Sequence, residues 1–520
     1  MTRQSFGRLL GSAALLMGSA CADLEVTNPN NPDIERALAT PEDVQNLAIS
    51  SVNSWYLNST YYEPYMMTEV TADVLTGNFG NFGMRFNNLE PRIPYENSSA
   101  GGDRTATEAP WEGNYAGLGA ANDALRAFAG GIELDTQEDT DAYLALARFS
   151  QAASLSNLAM LFDQAFPLDE TSDPLAPPDL VDYTAMTTFA MEKWDLLLTA
   201  LTGQTYVYDA TVLPLESGTL TSEALSRISN TMAARTLMLS ARNGAENAAV
   251  DWARVLQYAE KGISGPQGAG SPLDLTVIGD GNIWYSYINF YGNENTWLRV
   301  DQRVINMMDP TVPAKYAGTI VPPAAVQADA RMNSDFRFHN AAQGDPLRGV
   351  YMQSPFSHKR YSFHARNAST AAEGPVPYLL RAENDLIIAE ALVRTGGDLA
   401  RAASLINITR VGRGGLPPAT AADGATGLLD KIYYERTIEL LNTNSLGLFD
   451  GRRLEKLQPG TFRHLPIPAK ELETLKLPIY TFGGVGSADM NITLSSGATL
   501  GLHFPEKRSS PRRKMVAPQR

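Results

Sequence analysis

Cysteine is almost absent from this chain, with one among 520 residues, Cys21. A single thiol cannot form an intramolecular disulfide, so the stability of the fold must come from packing. Histidine is also scarce. Its five occurrences form no His-Glu-x-x-His pattern, and no Cys-x-x-Cys pattern occurs, so a zinc site lacks its usual spacing. The five are His339, His358, His364, His464 and His503.

Motifs of common enzyme classes are missing as well. No Gly-x-Ser-x-Gly nucleophile turn occurs, and no Gly-x-x-x-x-Gly-Lys-Ser/Thr phosphate loop. The 57 acidic residues leave open a pair of carboxylates of the kind that glycosidases use, although no pair stands out. We therefore predict that the chain is not an enzyme and that it holds no catalytic residue, metal or cofactor.

Positive charge and long apolar runs are limited too. The formal net charge is −15, which argues against nucleic acid as a partner because phosphate binding requires a basic surface. The one basic cluster lies in residues 506–520, a Ser- and Pro-containing tail that we predict to be disordered. The composition, 44% hydrophobic and 19% charged, is typical of a globular protein.

The N-terminus resembles a secretory signal. Arg3 and Arg8 precede an uncharged stretch, Leu9 to Ala20, which is shorter than the roughly 20 residues that span a bilayer. Cys21 follows at once, as in a bacterial lipobox, although Gly18 stands where leucine is usual. We predict that residues 1–20 are removed and that Cys21 is lipidated; an ordinary signal peptide is the alternative.

Amphipathic helices dominate the body of the chain. The clearest is predicted over residues 183–201, with Asp182 as its N-cap and Gly203 as its stop. A partner helix is predicted over residues 141–162. Its apolar residues recur at spacings of three and four, as do those of the first helix, which places them on one face.

Two further helix pairs follow. Ser222 is predicted to cap one helix, and a second, after Asn243-Gly244, carries Trp252 on its apolar face. The third pair, over residues 378–394 and 398–410 with Gly396-Gly397 between, is similar to a degenerate tetratricopeptide unit. Such hairpins must stack on neighbours to bury their apolar faces, which predicts a mostly α-helical, repeat-like fold.

Two long stretches differ from the helices. Residues 77–102 and 265–323 mix Gly, Asn and Pro with aromatic residues and show no period, and long loops of this kind are often functional. Rings flanked by amides suit sugar binding. The predicted ligand-binding residues are Asn81, Phe82, Trp111, Trp284, Tyr285, Tyr287, Tyr291 and Trp297. A half-buried strand over residues 283–290 is the alternative, and Tyr61, Tyr62 and Tyr65 are alternative platform residues.

Several motifs, in order, resemble the SusD/RagB family of outer-membrane nutrient-binding lipoproteins. Residues 379–413 are similar to the family signature, and Asp329-Ala330-Arg331 stands where the family has Asp-Pro-Arg. The other resembling segments are residues 43–54, Glu69 to Asp73, Tyr434-Glu435-Arg436, Asp450 to Leu454, and Leu465-Pro466-Ile467-Pro468. Ala330 in place of proline, and Leu440 to Asn444 in place of an acidic segment, indicate a divergent branch.

The resemblance implies a fold and a role for residues 21–505. The expected fold is mostly all-α, with tetratricopeptide-type hairpins and a ligand-binding half built from long loops at about 77–102 and 265–375. The expected role is to bind an oligosaccharide or peptide at the cell surface, anchored by lipid in the outer membrane, and to deliver it to a TonB-dependent SusC-like transporter. A tetratricopeptide-like adaptor without its own small-molecule ligand is the second hypothesis.

Overall fold

The computed structural model describes residues 40–61, 63–173, 176, 178–263, 274–293, 297–361, 373–444, 446–486 and 492–493. The predicted signal segment, Cys21, Tyr62, His364, His503 and the basic tail lie outside these residues. The helices, in chain order, are α1 (Pro41–Thr60), α2 (Tyr65–Thr71), α3 (Met84–Asn87), α4 (Thr105–Ala129), α5 (Gln137–Leu161), α6 (Tyr183–Ala200), α7 (Ser222–Leu239), α8 (Gly244–Ala249), α9 (Trp252–Glu260), α10 (Tyr287–Gly292), α11 (Gln302–Met308), α12 (Arg331–Ser334), α13 (Arg381–Arg394), α14 (Leu399–Arg410), α15 (Gly424–Glu439), α16 (Gly447–Arg453) and α17 (Ala469–Leu475).

Strands are short and pair two by two. The longest pair joins β4 to β8 in antiparallel register, with Val277 opposite Val376. The strands are β1 (Leu75–Thr76), β2 (Gln164–Ala165), β3 (Val181–Asp182), β4 (Leu275–Asp280), β5 (Arg299–Val300), β6 (Phe336–Phe338), β7 (Phe356–His358), β8 (Glu373–Leu379), β9 (Tyr480–Thr481) and β10 (Ile492–Thr493). The architecture is therefore mostly α-helical, as predicted.

The long helices stack in sequence order. Helices α1, α4 and α5 pack on one another, and each later scaffold helix packs on its predecessor: α6 on α5, α7 on α6, α9 on α7, α13 on α9, α14 on α13 and α15 on α14. One large hydrophobic core runs through this stack, with Trp55 and Trp194 fully buried in it. A smaller core lies under the loops and includes Leu298, Ile305 and Phe356.

Several predicted helices are confirmed, together with their caps. Helix α6 begins at Tyr183, and the Asp182 carboxylate accepts hydrogen bonds from the backbone N–H groups of Thr184 and Ala185, both at 2.9 Å. Asp398 caps α14 in the same way. The predicted pairs α5/α6, α7/α9 and α13/α14 all pack together.

Four predictions were wrong in detail. Thr221 caps α7, and Ser222 is its first helical residue. The helix after Asn243 breaks at Val250, which has extended ψ, so Trp252 begins a separate helix. Helix α13 begins at Arg381, because the preceding residues pair as β8. Residues 283–290 do not form a strand; α10 begins at Tyr287.

Several residues in the segments that resemble the SusD/RagB family form buried ion pairs. Arg331 is fully buried and contacts three carboxylates, Asp329 at 2.8 Å, Glu435 at 2.7 Å and Glu439 at 3.1 Å. These contacts tie α12 to α15 across the core. The matched segments at residues 329–331 and 434–436 therefore mark the scaffold.

A second buried network joins two further matched segments, residues 379–413 and Asp450 to Leu454. Arg453 is paired with Glu390 at 2.7 Å and with Asp450 at 2.7 Å. Although burial raises the pKa of Glu390, the guanidiniums of Arg453 and Arg394 outweigh it and hold that pKa at about 2. The carboxylate is thus charged, and the pair links α13 to α16.

Within the described ranges no helix is long and apolar enough to cross a bilayer.

Candidate functional site

A run of contacting, partly exposed aromatic rings lies where the two long loop regions meet. We call it the aromatic surface. The end of α1, the loop before α3 and the residues on either side of α10 supply five of its members, and α10 supplies three. Its members are Tyr61, Phe79, Phe82, Tyr285, Tyr287, Phe290, Tyr291 and Trp297, all of them half-buried.

Three rings at the centre of the aromatic surface lie nearly parallel. The Tyr291 and Trp297 ring centroids are 4.7 Å apart with 20° between the ring planes. The Tyr287 and Tyr291 centroids are 5.9 Å apart with 18° between planes. These separations exceed the roughly 3.5–4.0 Å contact distance of carbon atoms, so the rings form an offset row.

Other rings pack around both ends of this row. Tyr61 and Tyr285 meet Tyr287 edge to face, with centroids at 5.0 Å and 4.6 Å. At the other end, Phe82 and Phe79 lie 5.5 Å and 6.2 Å from Trp297. Edge-to-face pairs contribute about 0.5–1.5 kcal/mol beyond area burial, so the row is held in place by its neighbours.

Phenol hydroxyls converge on the aromatic surface. Burial raises the pKa of the Tyr291 hydroxyl, and the nearby hydroxyls of Tyr287 and Tyr61 raise it further. The Tyr291 phenol is therefore neutral at physiological pH, and it can both donate and accept hydrogen bonds. The surface thus combines ring faces with hydroxyl groups, the two features that a sugar ring requires of its site.

The local sequence explains how α10 presents its rings. Ser286 caps the helix by accepting a hydrogen bond from the Asn289 backbone N–H at 3.2 Å. Tyr287 and Tyr291 are four residues apart, so both side chains lie on one face of the helix. Phe290, three residues after Tyr287, lies beside them, with its centroid 4.8 Å from that of Tyr291.

A buried polar cluster fixes the C-terminal end of α10. The Asn442 side-chain amide donates to the Gly292 carbonyl at 2.8 Å, and the His358 Nδ1 lies 3.1 Å from the Asn293 side-chain oxygen. Burial lowers the pKa of His358 to about 3, so the imidazole is neutral. The cluster positions α10, and with it Tyr287 and Tyr291, against the smaller core.

Backbone geometry places Phe82. This residue has φ 54° and the following Gly83 has φ 68°, two successive left-handed conformations. A left-handed non-glycine residue costs roughly 1–2 kcal/mol and persists only where its surroundings hold it. A Cβ on Gly83 would lie 3.0 Å from the Met67 sulfur, so the Met67 side chain would have to shift slightly, and the positive φ is the main reason for glycine there.

Five of the eight residues predicted for ligand binding belong to the aromatic surface: Phe82, Tyr285, Tyr287, Tyr291 and Trp297. Asn81 is exposed beside Phe82. Trp284 and Trp111 do not belong to it. Trp284 is only 6% exposed and packs on Tyr56 in the main core, and Trp111 is 4% exposed and packs on Phe162. The burial of Trp284 argues for a packing role, in contrast to the prediction, whereas Trp111 also lines a separate cavity.

The site prediction omitted Phe79 and Phe290 and gave Tyr61 only as an alternative. Phe79 and Phe82 are three residues apart in a Gly- and Asn-rich segment, and this repetition could have signalled a shared surface. Tyr65, another alternative, is buried at 5% exposure. Tyr62 lies outside the described residues.

The described histidines are poorly placed for nucleophilic or metal chemistry. His339 Nε2 lies 2.8 Å from the Ser357 hydroxyl, the spacing of a base and a nucleophile. However, Ser357 is fully buried, so a substrate cannot reach its oxygen. His358 and His464 are also buried, and burial lowers the pKa of each. No group of three His, Cys, Asp or Glu side chains suited to a metal ion occurs among the described residues.

Comparison with known proteins gives one consistent result. No family model and no curated protein matches the sequence. Solved structures do match. A SusD superfamily protein from Parabacteroides distasonis is similar with TM-score 0.60 and 14% identity, over 82% of this chain and 96% of that one. A SusD superfamily protein from Bacteroides vulgatus matches with TM-score 0.58 and 15% identity, over 84% and 97%.

A third structure adds a functional description of its own. A SusD-like carbohydrate-binding protein from Bacteroides fragilis matches with TM-score 0.57 and 14% identity, over 80% of this chain and 87% of that one. These alignments span nearly all of each relative, and they confirm the fold that the motifs predicted. The chain therefore has the fold of the SusD superfamily.

Proposed function

We propose that the chain is a non-catalytic binding protein that captures a carbohydrate on the aromatic surface. One observation carries the proposal: eight half-buried aromatic residues from α10 and separate loop segments converge into one surface on an otherwise helical scaffold. Contiguous apolar patches at the surface commonly mark ligand-binding sites. The carbohydrate-binding description of the Bacteroides fragilis relative supports the same ligand class.

The binding mode follows from the ring geometry. The C–H groups of a pyranose pack on the solvent-exposed parts of the Tyr287, Tyr291 and Trp297 side chains, which buries apolar area. Phenol hydroxyls and the exposed Asn81 amide then hydrogen-bond to the sugar hydroxyls. No covalent step is needed, so the protein contributes binding energy and orientation alone.

The proposed role continues with delivery to a TonB-dependent SusC-like transporter. The motif resemblance supports this partner, and the lipobox-like position of Cys21 supports a lipid anchor at the outer membrane and exposure on the cell surface. The net charge of −15 supports a ligand other than nucleic acid. A peptide remains the second ligand class that the resemblance implies.

A glycan panel tests capture. Binding of the purified full-length protein to immobilised oligosaccharides is measured first, and the best ligand is then titrated by calorimetry. Tyr291→Ala is expected to weaken binding at least tenfold, which corresponds to about 1.4 kcal/mol. Phe189→Ala is the matched control, because Phe189 is a half-buried ring on the scaffold helix α6. Equal binding by both variants would contradict the proposal.

A pull-down tests delivery separately. The membrane-anchored protein is extracted from its native host in mild detergent, and co-purifying proteins are identified by mass spectrometry. A barrel transporter of the TonB-dependent class is expected. Recovery without any barrel, together with no glycan binding, would favour the adaptor hypothesis. Metabolic labelling with a fatty-acid analogue tests the anchor: the natural protein is expected to be labelled and a Cys21→Ser variant is not, and an unlabelled natural protein would remove the lipid anchor from the account.

A further inference from the structure

A second concave site, sharing no residue with the aromatic surface, lies between α4, α17 and the segment 166–173. Its volume is about 670 Å³, within the roughly 300–1,000 Å³ of small-molecule sites. Its walls are mainly apolar, with Trp111, Tyr115 and Phe166 in mutual edge contact. Leu168 and Leu475 complete the apolar lining.

The cavity is held open by hydrogen bonds. The Tyr115 hydroxyl accepts from the Phe166 backbone N–H at 2.6 Å and donates to the Phe166 carbonyl at 3.2 Å. Arg126 donates to the carbonyls of Glu170, Asp169 and Ser172, which fixes the opposite wall. A ligand therefore enters a formed site, and little ordering of the protein opposes binding.

The cationic side chains at the cavity are already paired, whereas a carboxyl group lines its wall. Arg126 is occupied by the three carbonyls and by Asp123, and Lys470 pairs with Glu112 at 2.9 Å. Glu471 lines the wall, half-buried, with the Trp111 indole hydrogen-bonded to its carboxyl group. Burial raises the pKa of Glu471, and the neighbouring Glu112 raises it further. A cation at this position would offset both effects, and the adjacent rings would attract it as well.

We propose that this cavity binds a small hydrophobic ligand that carries a protonated amine, with its apolar body against Trp111, Tyr115 and Phe166 and its ammonium group at Glu471. An anionic ligand is disfavoured because Glu471 faces the cavity and the Arg126 donors are occupied. The inference is independent of the carbohydrate proposal, since neither the rings nor the charges are shared.

The test uses two probes of one shape and opposite charge, 1-naphthylmethylamine and 1-naphthylacetate. Each is titrated into the purified full-length protein at pH 7 by ligand-observed NMR. The amine is expected to bind at least tenfold more tightly than the carboxylate. Equal affinity, or no binding of the amine at about millimolar concentration, overturns the proposal.

Two variants locate the binding. Gly119 lines the cavity, and a Cβ there would meet no atom within 4 Å, so the backbone can carry a larger side chain, and Gly119→Phe is designed to fill the cavity. It is expected to reduce amine binding at least tenfold. Ala129→Phe, at the exposed end of the same helix, is the control and is expected to leave binding unchanged. Binding that survives Gly119→Phe would place the ligand elsewhere and overturn the assignment.

Glu471→Gln tests the charge. The amine is expected to lose about fivefold or more in affinity, whereas the affinity of the carboxylate is expected to stay the same or rise. Thermal unfolding of each variant shows that the fold is retained. If glutamine leaves the amine affinity unchanged, the carboxylate does not recognise the cation and the proposed ligand class is wrong.

Discussion

Tyr291 and Trp297 lie with their ring planes 20° apart and their centroids 4.7 Å apart, although one belongs to α10 and the other to the segment after it. Their contact joins the helix-borne rings to Phe79 and Phe82, which come from a distant part of the chain. Phe82 also contacts Tyr291 directly, with centroids 6.1 Å apart. Trp297 therefore contributes the closest ring contact between the two groups and a ring of its own to the aromatic surface.

Trp297→Ala is expected to lower glycan affinity at least tenfold with little change in thermal stability, because the ring is half-buried at the surface. Trp297→Phe retains a ring face and should recover part of the loss. Calorimetric titration with the best ligand from the glycan panel measures both variants. An unchanged affinity for Trp297→Ala would remove this ring from the site.

Trp284→Ala should show the opposite pattern. The ring is 6% exposed in the main core, so its removal leaves a cavity and is expected to cost about 3–5 kcal/mol in the free energy of unfolding. Glycan affinity of the folded fraction should be preserved. Urea unfolding and titration distinguish the two effects, and a selective loss of affinity would restore Trp284 as a ligand contact.

Gly83→Ala is expected to destabilise the protein and to weaken glycan binding together. The left-handed φ costs alanine roughly 1–2 kcal/mol. Moreover, its Cβ would crowd the Met67 sulfur at 3.0 Å, beside Phe82. Gly80→Ala is the matched control, because a Cβ at Gly80 meets nothing within 4 Å. Equal stability of the two variants by urea unfolding would show that Gly83 is not required for its conformation.

Arg331→Ala should be severely destabilising. The substitution removes the cation that the buried carboxylates of Asp329, Glu435 and Glu439 share. Arg360 and Arg413 still pair with Glu439, but breaking a buried pair costs about 3–5 kcal/mol. Arg401→Ala removes only the exposed pair with Glu260 and should cost less than about 1 kcal/mol. Chemical unfolding compares them, and similar losses would contradict the role assigned to Arg331.

Glu69 should make stability depend on pH. The pKa of the Glu69 carboxyl group is raised from 4.5 to about 7. Burial is the main cause and the nearby Asp450 adds to it, while the hydrogen bond from the Gly447 N–H lowers the pKa in part. Because the pKa is higher in the folded state than in the unfolded state, the folded protein binds the proton more tightly. The resulting stability is fully present below about pH 4.5 and is lost as the pH rises through 7. Relative to Glu69→Gln, the natural protein should lose up to about 3 kcal/mol between pH 5 and pH 8. If the free energy of unfolding changes with pH in the same way for the natural protein and for Glu69→Gln, the pH dependence does not come from Glu69.

The sequence allowed the scaffold to be predicted because periodicity and capping are local. Asp182 and Asp398 cap the helices that their positions indicated. Errors arose where tertiary structure overrides local pattern. Tyr378 lies in a strand because β4 pairs with that segment, and residues 287–292 form a helix capped by Ser286.

The candidate site was only partly predictable. Composition identified the two aromatic loop regions, and five of the predicted residues lie together on the aromatic surface. Loops have no period, however, so the sequence does not show which rings point inward. Trp284 and Tyr285 are neighbours in the chain, yet the first packs in the core on Tyr56 and the second packs on Tyr287 at the surface.

The most direct test of the central claim is a crystal structure of the protein with the tightest-binding oligosaccharide from the glycan panel. The account predicts sugar rings packed on Tyr287, Tyr291 and Trp297, with phenol hydroxyls bonded to the glycan. An ordered oligosaccharide bound elsewhere, with the aromatic surface unoccupied, would contradict it.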